Sequence, residues 1–123
     1  MQTGSSVLII DDEKDIRDML TFALTANGFQ VLTAADGMEG INTIRRDSPS
    51  AVVLDLMMPR MNGYEVMTAM RDEGILADLP VVILTARNLN DDEMGQLDGA
   101  RGVFQKGQMD IMTFVKRFTT LVA

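Results

Sequence analysis

Ala51-Val52-Val53-Leu54-Asp55-Leu56-Met57-Met58-Pro59 is the stretch on which the reading of this chain turns. Ala51–Leu54 is apolar without alternation, which predicts a short strand covered on both faces, as in a parallel sheet. A carboxylate, Asp55, follows at once, and Pro59 closes the segment. In open parallel sheets, ligands gather beyond the carboxyl ends of the strands. Asp55 therefore stands where such a fold would build a site.

Outward from this segment, short apolar runs alternate with amphipathic stretches, the pattern of an α/β domain with a parallel sheet. The strand candidates are Val7–Ile10, Phe29–Thr33, Ala51–Leu54, Pro80–Leu84 and Gly102–Gln105. The first, third and fourth are almost wholly apolar; the second is mixed and the fifth short, which places those two nearer an edge. Ile16, Met19, Leu20, Ala23 and Leu24 repeat at helical spacing, and Asn27-Gly28 supplies a stop. Met38, Ile41 and Ile44 form a weaker second helix ended by Asp47-Ser48-Pro49, and Val66, Met67 and Met70 mark a third. A fourth, from about Asn90 to Asp98, is poor, with only Met94 and Leu97 to bury. Ile111, Phe114, Val115, Phe118, Leu121 and Val122 define the last. The eleven methionines stand mostly at or beside helical core positions, so gap filling in the core is expected of them.

The 123 residues suit one domain, 1–123, with residues 1–6 expected to be a frayed leader. Cysteine and histidine are both absent. Disulfides and thiolate metal sites are thereby excluded, as are the usual general base and phosphohistidine chemistry within the chain. A net charge of -7 argues against direct nucleic-acid or anionic-membrane binding. No signal peptide or long apolar span is evident, so a cytoplasmic protein without membrane insertion is expected.

Chemistry must then run on carboxylates, hydroxyls, lysine and a hard cation. The strand ends carry Asp11-Asp12-Glu13, Asp55, Thr85-Ala86 and Lys106. Singly, each has an ordinary use; Asp12 or Glu13 would serve as a helix cap. Together they suit phosphoryl transfer. Asp11, Asp12 and Asp55 would repel one another unless an oxygen-seeking cation joined them, and Mg²⁺ is the natural choice, with Mn²⁺ as a substitute. Asp55, already ionised, can attack phosphorus without a general base. Lys106, the Thr85 hydroxyl and a backbone N–H near Ala86 would meet the charge on the transferring group. The backbone carbonyl of Met57 would be a further metal ligand.

These residues resemble the receiver domain of two-component response regulators, over nearly the whole length from Val7 to Val122. The likeness rests on Val-Leu-Ile-Ile-Asp-Asp-Glu (Val7 to Glu13), on Asp55-Leu-Met-Met-Pro-Arg-Met-Asn-Gly63, on Leu84-Thr85-Ala86 and on Lys106. The Asp-x-x-Met-Pro-x-x-x-Gly segment is the most specific of the four. The resemblance implies a doubly wound, flavodoxin-like (βα)5 fold with a five-stranded parallel sheet in order 2-1-3-4-5. It implies that Asp55 accepts a phosphoryl group from the phosphohistidine of a sensor histidine kinase or phosphotransfer protein. Asp11 and Asp12 would then help hold Mg²⁺, and Thr85 and Lys106 bind phosphoryl oxygens. The protein would be a switch that assists only its own phosphorylation and dephosphorylation, not a free-standing enzyme. A downstream protein partner would read the face made by the fourth helix, fifth strand and fifth helix.

Three features depart from the family pattern. Gly107 follows Lys106 where proline is usual, so a trans bond or a glycine-tolerated distortion is expected in place of a cis link. Val103 takes the position of the switch aromatic, and Phe104, one residue later, should face the opposite side of the sheet. Lys106 also follows Thr85 by one residue fewer than usual. With the weak fourth helix, these leave two readings open: ordinary drift with a conventional output, or a readout that moves the fourth-helix region or partner affinity without a swinging aromatic ring. By the same resemblance, the positions of Met57 and Arg87 would line the approach to the site: Met57 would shield phosphorus from water, while Arg87 would either bind phosphate oxygens or stay solvated. Lys116-Arg117 is read as solvated.

Rival functions make different demands. A phosphatase of the haloacid dehalogenase type would put an Asp-x-Asp nucleophile on the first strand, which Asp11-Asp12-Glu13 does not match, and would need a cap domain. A receiver-like binding module working without phosphate would leave Asp55 unlabelled by acetyl phosphate. A flavin binder would want aromatics to stack on; the chain has no Trp and one Tyr.

Overall fold

The computed structural model describes residues 5–123. Its elements run β1 (Ser6–Ile10), α1 (Lys14–Ala26), β2 (Gln30–Ala34), α2 (Gly37–Asp47), β3 (Ala51–Leu54) and α3 (Gly63–Asp72). Then follow β4 (Val81–Thr85), α4 (Asp91–Gly95), β5 (Gly102–Gln105), a 3₁₀ turn (Lys106–Gln108) and α5 (Ile111–Val122). The five strands pair in parallel in the order β2-β1-β3-β4-β5. This is the flavodoxin-like doubly wound sheet.

Strand alternation divides the core into two layers. Leu8, Ile10, Val52, Leu54, Val81 and Ile83 point to the side of α2 and α3, where Ile41, Ile44, Val66, Met67 and Met70 meet them. Val7, Ile9, Ala51, Val53, Val82 and Leu84 point to α1 and α5, against Leu20, Leu24, Phe114 and Phe118. Each large side chain so buried contributes about 1.5–3 kcal/mol. The central strands β3 and β4 are buried at every residue, while edge strand β5 is only half-buried throughout. On the α5 side, Phe118 meets Phe29 edge-on at 6.1 Å and stacks with Phe114 at 5.9 Å.

Helix ends follow local chemistry. Gly28 turns the chain after α1 with φ of 91°, a value glycine takes without strain. Asp36 caps α2 and Asn62 caps α3, the latter in a reciprocal box with Glu65. α4 is a five-residue helix with no buried residue; Asn90 and Glu93 form its capping box, and Leu97 enters the core just beyond it.

Several expectations need correction. Residues 1–4 lie outside the described residues, but Ser6 is not frayed: it belongs to β1 and pairs with Gln30. β2 and β4 each begin one residue later than expected and end one later, so Ala34 and Thr85 are strand residues. Phe29 is buried in the preceding turn. Met58, Met67 and Met70 fill the core as expected, but Met19, Met38, Met57, Met94 and Met112 are exposed. Helical spacing alone put Met19 and Met38 inside; they sit at the margins of their helices' apolar faces, beyond the reach of the sheet.

Candidate functional site

Topology delivers the site. β1 and β3 are neighbours whose connections leave in opposite directions, so a crevice opens at their carboxyl ends. The ladder carries into the loops: Asp55 N–H donates to the Ile10 carbonyl (2.9 Å) and Asp11 N–H to the Ala34 carbonyl (3.1 Å). Asp11 and Asp55 are thereby held side by side, each 2% exposed. Gly63 closes the β3–α3 loop, donating to the Leu56 carbonyl at 3.0 Å. A Cβ there would strike the Asp55 carbonyl, so only glycine allows this close approach.

Carboxylate oxygens of Asp11, Asp12 and Asp55 all lie within 4.8 Å of one another. Lys106 reaches in from the end of β5, with Nζ 2.9 Å from Asp11 Oδ2 and 3.5 Å from Asp55 Oδ2. Thr85, 1% exposed, ends β4 beside them. The residues expected from four strand ends therefore converge. Met57 lies two residues past Asp55, donating its N–H to Asp55 Oδ1 at 3.3 Å with its side chain at the mouth.

The charges do not balance. Burial, and then the Asp11 charge, push the Asp55 carboxyl up to about 6, with Lys106 pulling the other way. Burial also raises Asp11, despite its hydrogen bond with Lys106. On Lys106 itself burial favours the neutral form, yet its bonds with Glu13 and Asp11 outweigh this and hold it above the ordinary lysine range. One ammonium cannot neutralise the two buried carboxylates of Asp11 and Asp55 together with exposed Asp12 beside them. A crowded all-oxygen donor set short of positive charge is what a hard dication fits.

Glu13 is one of the two cap candidates that the sequence offers for α1. It occupies the N-cap position of α1 but makes no side-chain cap bond there. Its carboxylate instead takes a hydrogen bond from Lys106 Nζ at 2.8 Å. No local signal could have revealed this contact between opposite ends of the chain. Arg17, also missed, donates from Nη1 to the Asp11 carbonyl at 2.7 Å and steadies the acidic loop.

In β5, Val103 packs toward α3 and Phe104 toward α5, as alternation demands. Phe104 meets Phe114 edge-on at 5.1 Å, and the Arg117 guanidinium lies 4.8 Å from its ring centre, so Arg117 is not merely solvated. Among the described residues no peptide bond is cis, including that before Gly107. Arg87 is not simply solvated either: it pairs with Glu93 at 3.1 Å.

A flavodoxin-like sheet with an acidic, lysine-bearing pocket at its carboxyl edge defines the class of domain. The chain belongs to the response regulator receiver domain family, whose profile matches residues 7–116. Receivers of this family are signalling switches of two-component systems that interact with histidine kinases and bind Mg²⁺ at an acidic pocket. Response regulator MprA of Mycolicibacterium vanbaalenii is 42% identical over 92 residues, 75% of this chain and 39% of that protein. The chain spans about 40% of the length of the curated relatives it matches. Among solved structures, CheY4 of Vibrio cholerae superposes with a TM-score of 0.86 at 29% identity, covering 97% of this chain and 99% of that one. TrrA of Thermotoga maritima, in complex with Mg²⁺ and BeF, superposes at 0.84 with 25% identity, covering 95% of this chain and 98% of that one. No helix among the described residues is long and apolar enough to cross a membrane.

Proposed function

We propose that Asp55 is the phosphoacceptor of a receiver switch, taking its phosphoryl group from the phosphohistidine of a sensor histidine kinase or phosphotransfer protein. The observation that carries this reading is the buried Asp55 carboxylate, pressed between Asp11 and Lys106 at the end of β3. An Asp55 oxygen forms a new bond to phosphorus as the P–N bond of the donor breaks. The electron pair stays on the imidazole nitrogen, which departs neutral when its other nitrogen carries the proton. Asp55 needs no general base, because it attacks as the carboxylate. Lys106 and the Thr85 hydroxyl supply donors to the phosphoryl oxygens. Asp11, Asp12, Asp55 and the Met57 carbonyl would hold Mg²⁺ or Mn²⁺, which supplies charge neutralisation for the oxygens around phosphorus. The Mg²⁺ and BeF bound to TrrA support that choice of metal.

In this reading the protein turns over nothing but its own acyl phosphate, works in the cytoplasm, and signals to a protein partner through α4, β5 and α5. Its net charge of -7 disfavours direct contact with nucleic acid. The test is incubation of wild type and Asp55→Asn with acetyl phosphate, with and without Mg²⁺, read by intact mass. Mg²⁺-dependent labelling of wild type alone is expected. Equal labelling of both chains would remove Asp55 from its role, and no labelling of either would favour a binding module independent of phosphate.

A further inference from the structure

The junction of β4 and α4 carries a polar cluster that the pocket does not require. Arg87 lays Nη1 against the Met57 sulfur at 3.8 Å and pairs Nη2 with Glu93 Oε2 at 3.1 Å. Its backbone N–H faces Thr85 Oγ1 at 3.4 Å. Met57 in turn donates its own N–H to Asp55. Met57 therefore contacts both groups, the guanidinium through its sulfur and the Asp55 carboxylate through its backbone N–H.

Glu93 has more than one task. Oε1 accepts the Asn90 N–H at 3.1 Å, completing the capping box of α4. Oε2 faces both Arg87 and the Tyr64 hydroxyl of α3, the latter at 3.5 Å. Because α4 has no buried residue, these polar contacts tie its first turn to the rest of the fold.

We propose, resting on the assignment of Asp55 as phosphoacceptor, that Arg87 is a further phosphoryl ligand whose transfer from Glu93 to the phosphoryl oxygens releases the first turn of α4. The exchange is favourable on charge. A phosphoryl group carries about −1.5 to −2 charges against one on Glu93, and its oxygens suit the planar guanidinium fork. The present pair is cheap to break, since Arg87 is 49% exposed and water screens it. The phosphoryl group would lie beside Asp11 and Lys106, whose side chains are 3% and 9% exposed, where screening is weaker. Arg87 remains a cation throughout, so no proton moves. This route needs no ring in β5, where Val103 has none to turn.

The experiment compares the whole chain with and without Mg²⁺ and beryllofluoride, reading amide exchange across residues 88–97. Fluorescence of Tyr64, the one tyrosine in a chain without tryptophan, gives a second readout. In wild type, the mimic should speed exchange in α4 by about tenfold and change Tyr64 emission. Arg87→Ala should show the faster exchange without the mimic, no further response to it, and about tenfold weaker beryllofluoride binding at unaltered Mg²⁺ affinity. Glu93→Gln should open α4 equally, yet bind beryllofluoride at least as tightly as wild type. A merely structural Arg87 would not separate the two variants in that way. If Arg87→Ala does not fold, Arg87→Gln keeps most of the side chain and carries the same expectations. An Asp55 labelled by acetyl phosphate, with α4 unmoved or responding in Arg87→Ala as in wild type, overturns this inference alone. An unlabelled Asp55 overturns the phosphoacceptor assignment and this inference with it.

Discussion

Replacing Asp55 by Asn should stabilise the metal-free protein while abolishing phosphorylation. The folded Asp55 carboxyl is raised from 3.8 to about 6, by burial first and the Asp11 charge second. Between those values the folded state holds a proton that the unfolded chain has lost, so stability falls as pH rises through the interval. At one pKa unit per 1.36 kcal/mol, the ionised Asp55 costs roughly 3 kcal/mol at pH 7, about 1.5 at pH 5 and about 0.5 at pH 4. Asn keeps the shape and removes the charge. It also removes one partner of Lys106, but the most distant one, at 3.5 Å; Asp11 and Glu13 remain at 2.9 and 2.8 Å. The net gain at neutral pH should therefore be about 1–3 kcal/mol, or roughly 3–12 °C in Tm for a domain of this size. Urea melts of both chains in EDTA at pH 7, 5 and 4 measure it. Saturating Mg²⁺ should narrow the gap, because the metal binds the wild-type pocket more tightly and stabilises it by mass action. An Asn variant no more stable than wild type at pH 7, or a gain that persists undiminished at pH 4, would show that the carboxylate cluster is not strained as described.

Three further outcomes follow from the same geometry. Lys106→Met should slow labelling of Asp55 by acetyl phosphate about 10²–10³-fold, the usual loss for one preorganised donor, and an initial rate within twofold of wild type would refute that role. Gly63→Ala should destabilise by about 1–3 kcal/mol in urea, because the added methyl meets the backbone of Asp55 and Leu56, which cannot rotate away. Asn90→Ala should remove about 1 kcal/mol from the α4 cap and appear as faster exchange across Asp91–Gly95. With no buried residue in that helix, its global unfolding midpoint should barely move; a lowered midpoint with unchanged local exchange would contradict the account.

The sheet was legible because its central strands are apolar on both faces and alternate with amphipathic stretches, which together fit a parallel sheet covered by helices. The carboxylates and Lys106 were legible because strand ends in such a sheet share one edge, so position along the chain became position in space. What escaped was contact chemistry between loops. Glu13 and Lys106 meet across most of the chain, and nothing near Glu13 distinguishes that use from capping. The link from Arg87 through Glu93 to Tyr64 joins the loop after β4, α4 and α3, whose mutual placement no periodicity encodes. The exposed methionines erred in the other direction: spacing records which face of a helix a residue occupies, not how far the sheet extends beneath it.

The same packing argues where a charge placed on Asp55 can be felt. α5 is anchored by Phe114, Val115, Phe118 and Val122, all buried, and α1 by Leu20, Ala23 and Leu24. Phe104 is held between Phe114 and Arg117, so turning its ring would break an aromatic contact and a cation–π contact together. Each such loss is of order 0.5–1.5 kcal/mol, with burial lost besides. On the opposite side of β5, Val103 offers only a small branched side chain. α4, by contrast, is fastened by a capping box and an ion pair of which one member is half in water. Elements of low local stability respond to small differential interactions, because little must be undone to move them. The ion pair is also the part of that fastening nearest the carboxylate that would gain the charge. A receiver lacking the aromatic rotor thus still has a route outward, through the weakest boundary of its fold, and α4 is where its signal should first appear.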